Sequence, residues 1–89
     1  GRPPMNLMAA DSGVVVGVRP EDLRPDPNGT ACRVLNREWL GASQMLLLES
    51  ASGTLRMVCD GSLDLGSELS VSWLPEREHH FGEHDGQRL

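Results

Sequence analysis

The 89-residue sequence contains no lysine and no tyrosine, has only one phenylalanine and two tryptophans, and carries a net charge of −5. Without lysine it has no phosphate-binding loop of the form Gly-x-x-x-x-Gly-Lys-(Ser/Thr). A nucleic-acid interface needs a basic patch and, for single strands, aromatic rings on which bases stack. Here eight arginines are scattered among thirteen acidic residues. We therefore expect no nucleic-acid partner.

Long apolar runs and a cysteine framework are also missing. No uncharged apolar run is longer than residues 45–48, whereas a membrane span needs roughly 20 residues. We therefore predict no direct membrane insertion. Cys32 and Cys59 lie far apart in the sequence. A single pair of this kind favours two small buried thiols over a disulfide.

Catalytic patterns are absent as well. The sequence has no activated serine or cysteine motif and no carboxylate pair spaced for acid–base chemistry. We therefore expect that this chain is not an enzyme, has no catalytic residue and binds no cofactor.

One cluster of potential metal ligands lies near the C-terminus. It comprises Glu78, His79, His80, Glu83, His84 and Asp85. Adjacent residues on a strand point to opposite faces, so this spacing does not fit a zinc site. We predict an exposed polar hairpin without a resident metal, and adventitious nickel or zinc binding is the alternative.

Short strands dominate the rest of the pattern. The predicted strands are residues 14–18, 30–40, 43–49, 54–59 and 68–74, with a last hairpin of 79–81 and 87–89. Two prolines and an Asn-Gly pair in the segment 24–29 predict a turn that excludes regular structure. Trp39 and Trp73 each have apolar neighbours and are predicted to lie in the core.

The fold class follows from these elements. No window shows sustained apolar periodicity of 3.6 residues, so little helix is expected. Five to six short antiparallel strands separated by Gly, Pro and Asn turns predict an all-β, OB-like, partly open barrel. A chain of this length makes one domain with a modest core, which Leu, Val and Met must fill.

Four segments, in this order, resemble one protein family. Residues 17–23 (Gly-Val-Arg-Pro-Glu-Asp-Leu) resemble the Gly-(Ile/Val)-Arg-Pro-Glu-x-(Leu/Ile) segment of the transport-associated OB-like (TOBE) domain, the C-terminal domain of ABC-transporter ATPase subunits. Residues 3–7 (Pro-Pro-Met-Asn-Leu) are similar to the entry segment of this domain in sugar importers. Residues 36–41 take the place of the family's Glu-x-Leu-Gly, and 79–89 resemble its closing His-x-Phe-Asp-x-x-(Thr/Asp)-Gly-x-x-Leu.

The resemblance implies a non-catalytic regulatory and dimerisation domain in the ATP-hydrolysing subunit of an ABC importer for carbohydrate, glycerol phosphate or a related solute. We interpret the chain as a piece of a longer protein, with residues 1–13 as a linker from an upstream ATPase domain and 14–89 as the TOBE domain. The implied partners are a second copy of the same subunit, the upstream ATPase domain and, indirectly, the permease subunits. The implied location is the cytoplasmic face of the membrane, and ATP and Mg²⁺ belong to the ATPase domain alone.

By position, the resemblance assigns interaction roles to Arg19, Pro20, Glu21, Glu38 and Gly41. For Arg19 and Glu21 an ion pair within the domain is the alternative. The alternative function is a sensor module for a small solute or an oxyanion, since some family relatives bind such ligands in this domain.

Two departures from the family pattern bear on the fold and on ligand binding. The family usually has additional strands between the first two segments, where this chain has only residues 7–16. We therefore expect a barrel that lacks strands, leaves an exposed edge or borrows a strand from a partner. Gly82 also replaces the usual aspartate after phenylalanine.

Overall fold

A computed structural model describes residues 4–10 and 13–82, and these residues form seven strands in two antiparallel sheets. The strands are β1 Asn6–Ala9, β2 Val14–Val18, β3 Arg24–Leu40, β4 Ser43–Ser50, β5 Gly53–Asp60, β6 Glu68–Ser72 and β7 His79–Gly82. The small sheet has the order β1-β2-β7, and the large sheet has the order β5-β4-β3-β6. The predicted all-β, partly open barrel is confirmed, with one strand more than the upper estimate.

Proline begins both connections between the two sheets. A short 3-10 helix, Pro20–Asp22, follows β2, and another, Pro75–Arg77, follows β6. The proline ring fixes its own φ and keeps the preceding residue extended. Arg19 and Leu74 accordingly have ψ angles of 146° and 138°. Each connection therefore turns where the sequence places its proline.

The core is aliphatic, as the scarcity of aromatic residues predicts. Its buried members are Val18, Leu23, Cys32, Leu46, Leu48, Leu55, Met57 and Val71. Leu46 and Leu48 occupy alternate positions of β4, and Leu55 and Met57 occupy alternate positions of β5. Side chains alternate between the faces of a strand, so these four residues line the same side of the large sheet.

The segment 24–29 lies within β3, so the prediction that it excludes regular structure is wrong. Val71 of β6 pairs with both Pro25 and Thr30, and residues 26–29 bulge out between these two pairings. Within the bulge, the Asn28 N–H donates to Oδ1 of Asp26 at 2.9 Å. The predicted turn chemistry is present, but it forms a bulge because β6 holds the chain on both sides of it.

Both ends of the chain differ from the expected pattern. Residues 6–9, predicted within a linker, form β1 and pair with β2, so that Asn6 lies opposite Val18. The boundary between linker and domain itself stays a prediction. At the other end β7 pairs with β2, where Phe81 lies opposite Val15. The predicted hairpin partner of β7, residues 87–89, is outside the described ranges.

The two tryptophans have different environments. Trp73 packs against the core and donates its indole N–H to Oε2 of Glu78 at 2.8 Å. Trp39, in contrast, is 62% exposed, so its predicted core position is wrong. It lies opposite Gln44, one residue before the end of β3. That position beside the hairpin turn leaves the ring uncovered, although its neighbours in sequence are apolar.

Candidate protein-contact surface

The predicted interaction residues lie on different elements. Arg19, Pro20 and Glu21 belong to the connection between β2 and β3, whose 3-10 helix packs against β5. Glu38 lies in β3, and Gly41 lies in the turn between β3 and β4. Within the described ranges no hydrogen bond or ion pair joins the first group to the second. The predicted interaction residues therefore lie in two separate regions of the structure.

The first region combines two anchors with two charges. Pro20 is fully buried and Leu23 is 3% exposed, so both fix the connection to the core. Arg19 is half-buried and Glu21 is exposed. In the described part of the chain these two residues form no ion pair, either with each other or with another residue. Their charges are therefore available to a partner.

The second region is the hairpin between β3 and β4. Gly41 has a φ of +67°, which glycine adopts without strain, and a Cβ there would meet nothing within 4 Å. Glu38 is an exposed residue of β3. Around the hairpin, Trp39 is 62% exposed and Leu40 43% exposed. Both side chains are therefore open to solvent at this end of the large sheet.

Two polar side chains hold a neighbouring loop against this hairpin. Gln44 is fully buried, and its Nε2 donates to the carbonyl oxygens of Asp60 at 3.0 Å and Leu63 at 2.9 Å. Arg37 donates from Nη2 to the Gly66 carbonyl at 2.9 Å. The loop that these bonds fix also presents Leu63, which is 42% exposed. We call Trp39, Leu40 and Leu63 the tip residues.

Sequence reasoning missed the link that Asn6 makes between the two sheets. Asn6 is 7% exposed; its Nδ2 donates to the Arg56 carbonyl at 2.8 Å, and its Oδ1 accepts from the Arg56 N–H at 2.7 Å. The side-chain amide thus takes the place of a peptide group at the outer edge of β5. The segment 3–7 marked this asparagine, but nothing in its pattern identifies a partner 50 residues away.

A concavity of about 850 Å³ at one face of the large sheet does not suit an oxyanion. Its cationic lining residue, Arg33, donates from Nη2 to Oε1 of Glu49 at 2.8 Å, and Glu68 adds another carboxylate. Tight oxyanion binding uses charged donors that are free to point at the ligand. Cys32 also lines this space, and burial raises the pKa of its thiol. A protonated thiol is a poor nucleophile.

The two cysteines are free, with Cys32 buried and Cys59 half-buried. Burial is the main cause that raises the pKa of Cys59, and the neighbouring Asp60 carboxylate raises it further. The predicted free thiols are therefore found in the described structure, but the predicted burial holds for Cys32 and not for Cys59.

The histidine-rich segment is seen only in part. His80 Nε2 lies 3.1 Å from Oε1 of Glu78, whose other oxygen accepts from Trp73. The hydrogen bond from the Trp73 N–H is the main cause that holds the pKa of Glu78 below its ordinary value, and the hydrogen bond with His80 is the second. The described residues contain no group of three or more potential metal ligands. Glu83, His84 and Asp85 lie outside the described ranges.

The described residues include no helix that is long and apolar enough to cross a membrane.

Comparison with known proteins identifies the family. A search of curated proteins gave no match. The sequence profile of the TOBE domain matches residues 16–81, which is most of the chain and includes the segments 17–23 and 36–41. The TOBE domain is a non-catalytic module associated with ABC transporters. This chain belongs to the TOBE domain family.

Proposed function

We propose that this TOBE domain is the C-terminal regulatory and dimerisation domain of the ATP-hydrolysing subunit of an ABC importer, and that it acts by protein–protein contact. The observation that carries the contact function is the exposure of Trp39, 62% of which is open to solvent. Tryptophan is enriched among the residues that dominate interface energies. Membership of the TOBE family supports the transporter setting.

The two contact regions have different partners in this proposal. The tip residues contact a second copy or a regulator, because they are apolar and stand at one end of the large sheet. Arg19 and Glu21 contact the upstream ATPase domain through their free charges. Contact with the permease is indirect. Such a domain holds two ATPase subunits together while their catalytic halves open and close.

The transported solute in this proposal is a carbohydrate or a related compound such as glycerol phosphate. The segment 3–7, Pro-Pro-Met-Asn-Leu, supports that assignment through its resemblance to sugar-importer subunits. ATP and Mg²⁺ bind the ATPase domain, and the complex lies at the cytoplasmic face of the membrane. A role as an oxyanion sensor has less support, since Arg33 already bonds to Glu49 in the concavity of about 850 Å³.

Two measurements test the proposal. Reading the coding sequence on both sides of this domain tests the transporter setting: an adjoining ATPase domain is expected, and its absence would remove that setting. Sedimentation equilibrium from micromolar to millimolar concentration tests dimerisation. A chain that stays monomeric and also fails to bind the ATPase dimer contradicts the contact function.

Trp39→Ser tests the tip residues. We expect it to weaken self-association in sedimentation equilibrium about tenfold or more, as the loss of an aromatic anchor does. Leu74→Ser is the matched control, because Leu74 is also exposed, at 38%, but lies in the connection after β6. Equal effects of the two substitutions would show that the hairpin has no special role.

A further inference from the structure

We infer that the free edge of β1 pairs with β1 of a second copy of this chain, so that two small sheets join into one continuous sheet. This inference rests on the proposed dimerisation and adds a backbone contact between the two copies to the contact proposed for the tip residues. It is carried by the hydrogen-bonding pattern of β1, by the composition of this segment and by a comparison with the other sheet edges.

The hydrogen-bonding pattern leaves two residues of β1 with outward-facing backbone groups. The Ala10 N–H donates to the Val14 carbonyl at 2.8 Å. Hydrogen-bonded and non-bonded pairs alternate along an antiparallel ladder, so Met8 also bonds to β2. The N–H and C=O groups of Leu7 and Ala9 then point away from β2. In the described part of the chain nothing else pairs with them.

The composition of this edge favours pairing with an identical strand. Residues 5–10 (Met-Asn-Leu-Met-Ala-Ala) carry no charge, and Leu7 is 63% exposed. Sheet edges normally carry a charge, a proline or a bulge that discourages pairing. The chain as a whole has a net charge of −5, which opposes self-association. An uncharged strand is the place where two copies can meet without bringing like charges together.

The other sheet edges in the described ranges are less suited. The outer edge of β5 is partly occupied, because Arg56 gives both its backbone N–H and its C=O to Asn6. β6 carries Glu68 and β7 carries His79 and His80. Pairing β6 with its own copy places two Glu68 carboxylates in the same short ladder.

The pairing has a defined register. If the two-fold axis passes Met8, Leu7 of each copy lies opposite Ala9 of the other, and both pairs exchange N–H···O bonds. This register uses all four outward-facing backbone groups of each strand. The strand is only Asn6–Ala9, so we expect a weak dimer whose population depends on concentration.

Ala9→Pro tests the inference with little disturbance of the domain. Proline removes the Ala9 N–H, which points outward, and leaves every bond between β1 and β2 in place. We expect the dimer seen by sedimentation equilibrium to be lost, while the thermal midpoint of unfolding stays close to that of the unsubstituted chain. Ala9→Ser is the matched control: it keeps the N–H and should keep the dimer.

A second measurement applies even if Ala9→Pro does not fold. In the unsubstituted chain, amide hydrogen exchange at Leu7 and Ala9 should slow as the concentration rises, while exchange at Ala10 should be slow throughout. Fast exchange at both outward-facing amides in a sample that sedimentation shows to be dimeric overturns the inference.

The outcomes separate this inference from the proposed function. A dimer that Ala9→Pro abolishes supports both. A dimer that survives Ala9→Pro leaves the dimerisation function standing and removes β1 as the interface. A chain that is monomeric even at millimolar concentration removes dimerisation by this domain, and the β1 pairing with it.

Discussion

The large sheet supplies most of the buried core side chains of this TOBE domain, whereas the small sheet supplies Val18 and packs Met8 and Val16 against that core. Leu46, Leu48 and Met57, all in the large sheet, are completely buried. Among the described residues of the small sheet, Val18 is the one fully buried aliphatic side chain. Asn6 links the small sheet to β5 through two hydrogen bonds with the backbone of Arg56. Stability is therefore concentrated in one sheet, and the other is more easily adapted to contacts with partners.

Among the substitutions that compare the two sheets, Leu46→Ala is expected to lower the free energy of unfolding most. Leu46 is fully buried in β4, and losing its side chain in such a site costs about 2–5 kcal/mol, part of it from the cavity left behind. A domain with about 5 kcal/mol of total stability would be largely destabilised. Urea unfolding followed by tryptophan fluorescence measures the change. Leu47→Ala, at the adjacent half-buried position, should have a clearly smaller effect.

Two glycine substitutions compare the sheets directly. A Cβ at Gly29 would overlap the backbone carbonyl of Val71, so the bulge in β3 must open. A Cβ at Gly17 would overlap Sδ of Met5 and lie 3.1 Å from a ring carbon of Phe81. Side-chain ends can move, whereas paired backbone cannot.

We therefore expect Gly29→Ala to destabilise the domain by about 1–3 kcal/mol and Gly17→Ala by less. Thermal unfolding of the two variants side by side measures the difference. The reverse order would mean that the small sheet is the more rigid of the two.

Asn6→Ala removes the link between the sheets. It leaves the Arg56 N–H and C=O without their partner in a part-buried place, which costs about 1–3 kcal/mol. Differential scanning calorimetry gives the total change, and hydrogen exchange at the Arg56 amide should become faster. Asn36→Ala, at an exposed asparagine of β3, is the control and should change little.

The smallest expected effect is a pH dependence at the corner where β6 leads to β7. The hydrogen bond from Trp73, and then the contact with His80, lower the pKa of Glu78 below its ordinary value of 4.5. A lowered folded-state pKa gives stability that is present above the unfolded pKa and is lost as the pH falls through the folded pKa.

Urea midpoints measured from about pH 6 down to about pH 3 should therefore fall more steeply for the unsubstituted chain than for Glu78→Gln. Glu76→Gln, whose side chain is exposed in the same connection, should retain the steep fall. Parallel curves for Glu78→Gln and the unsubstituted chain would show that this carboxylate has no such role.

The strands of the large sheet were predictable because alternation fixes both their type and their buried face. Leu55 and Met57 in β5 and Val71 in β6 lie on the predicted side, and residues 43–49 and 54–59 match β4 and β5 closely. The sequence pattern did not reveal β1, because four residues after a proline-rich start are too few for a periodic signal.

Other features depended on tertiary contacts that a local pattern does not contain. The bulge at 26–29 forms because β6 pairs with the chain on both sides of it. Trp39 is exposed because it lies beside the turn at the end of the large sheet. The family motif marked Pro20 as an interaction residue, yet the residue is fully buried and anchors the connection. Burial thus separates Pro20, which anchors the connection, from the exposed Glu21 beside it.

The pairing of β7 with β2 determines when the domain can be completed. Val14 lies opposite Gly82, so the middle strand of the small sheet gains its second neighbour only after almost all of the described chain has been made. The hairpin of β4 and β5, in contrast, joins residues close in sequence. Local pairings form faster than distant ones. During synthesis, the hairpin of β4 and β5 therefore has time to form before β7 is available to pair with β2.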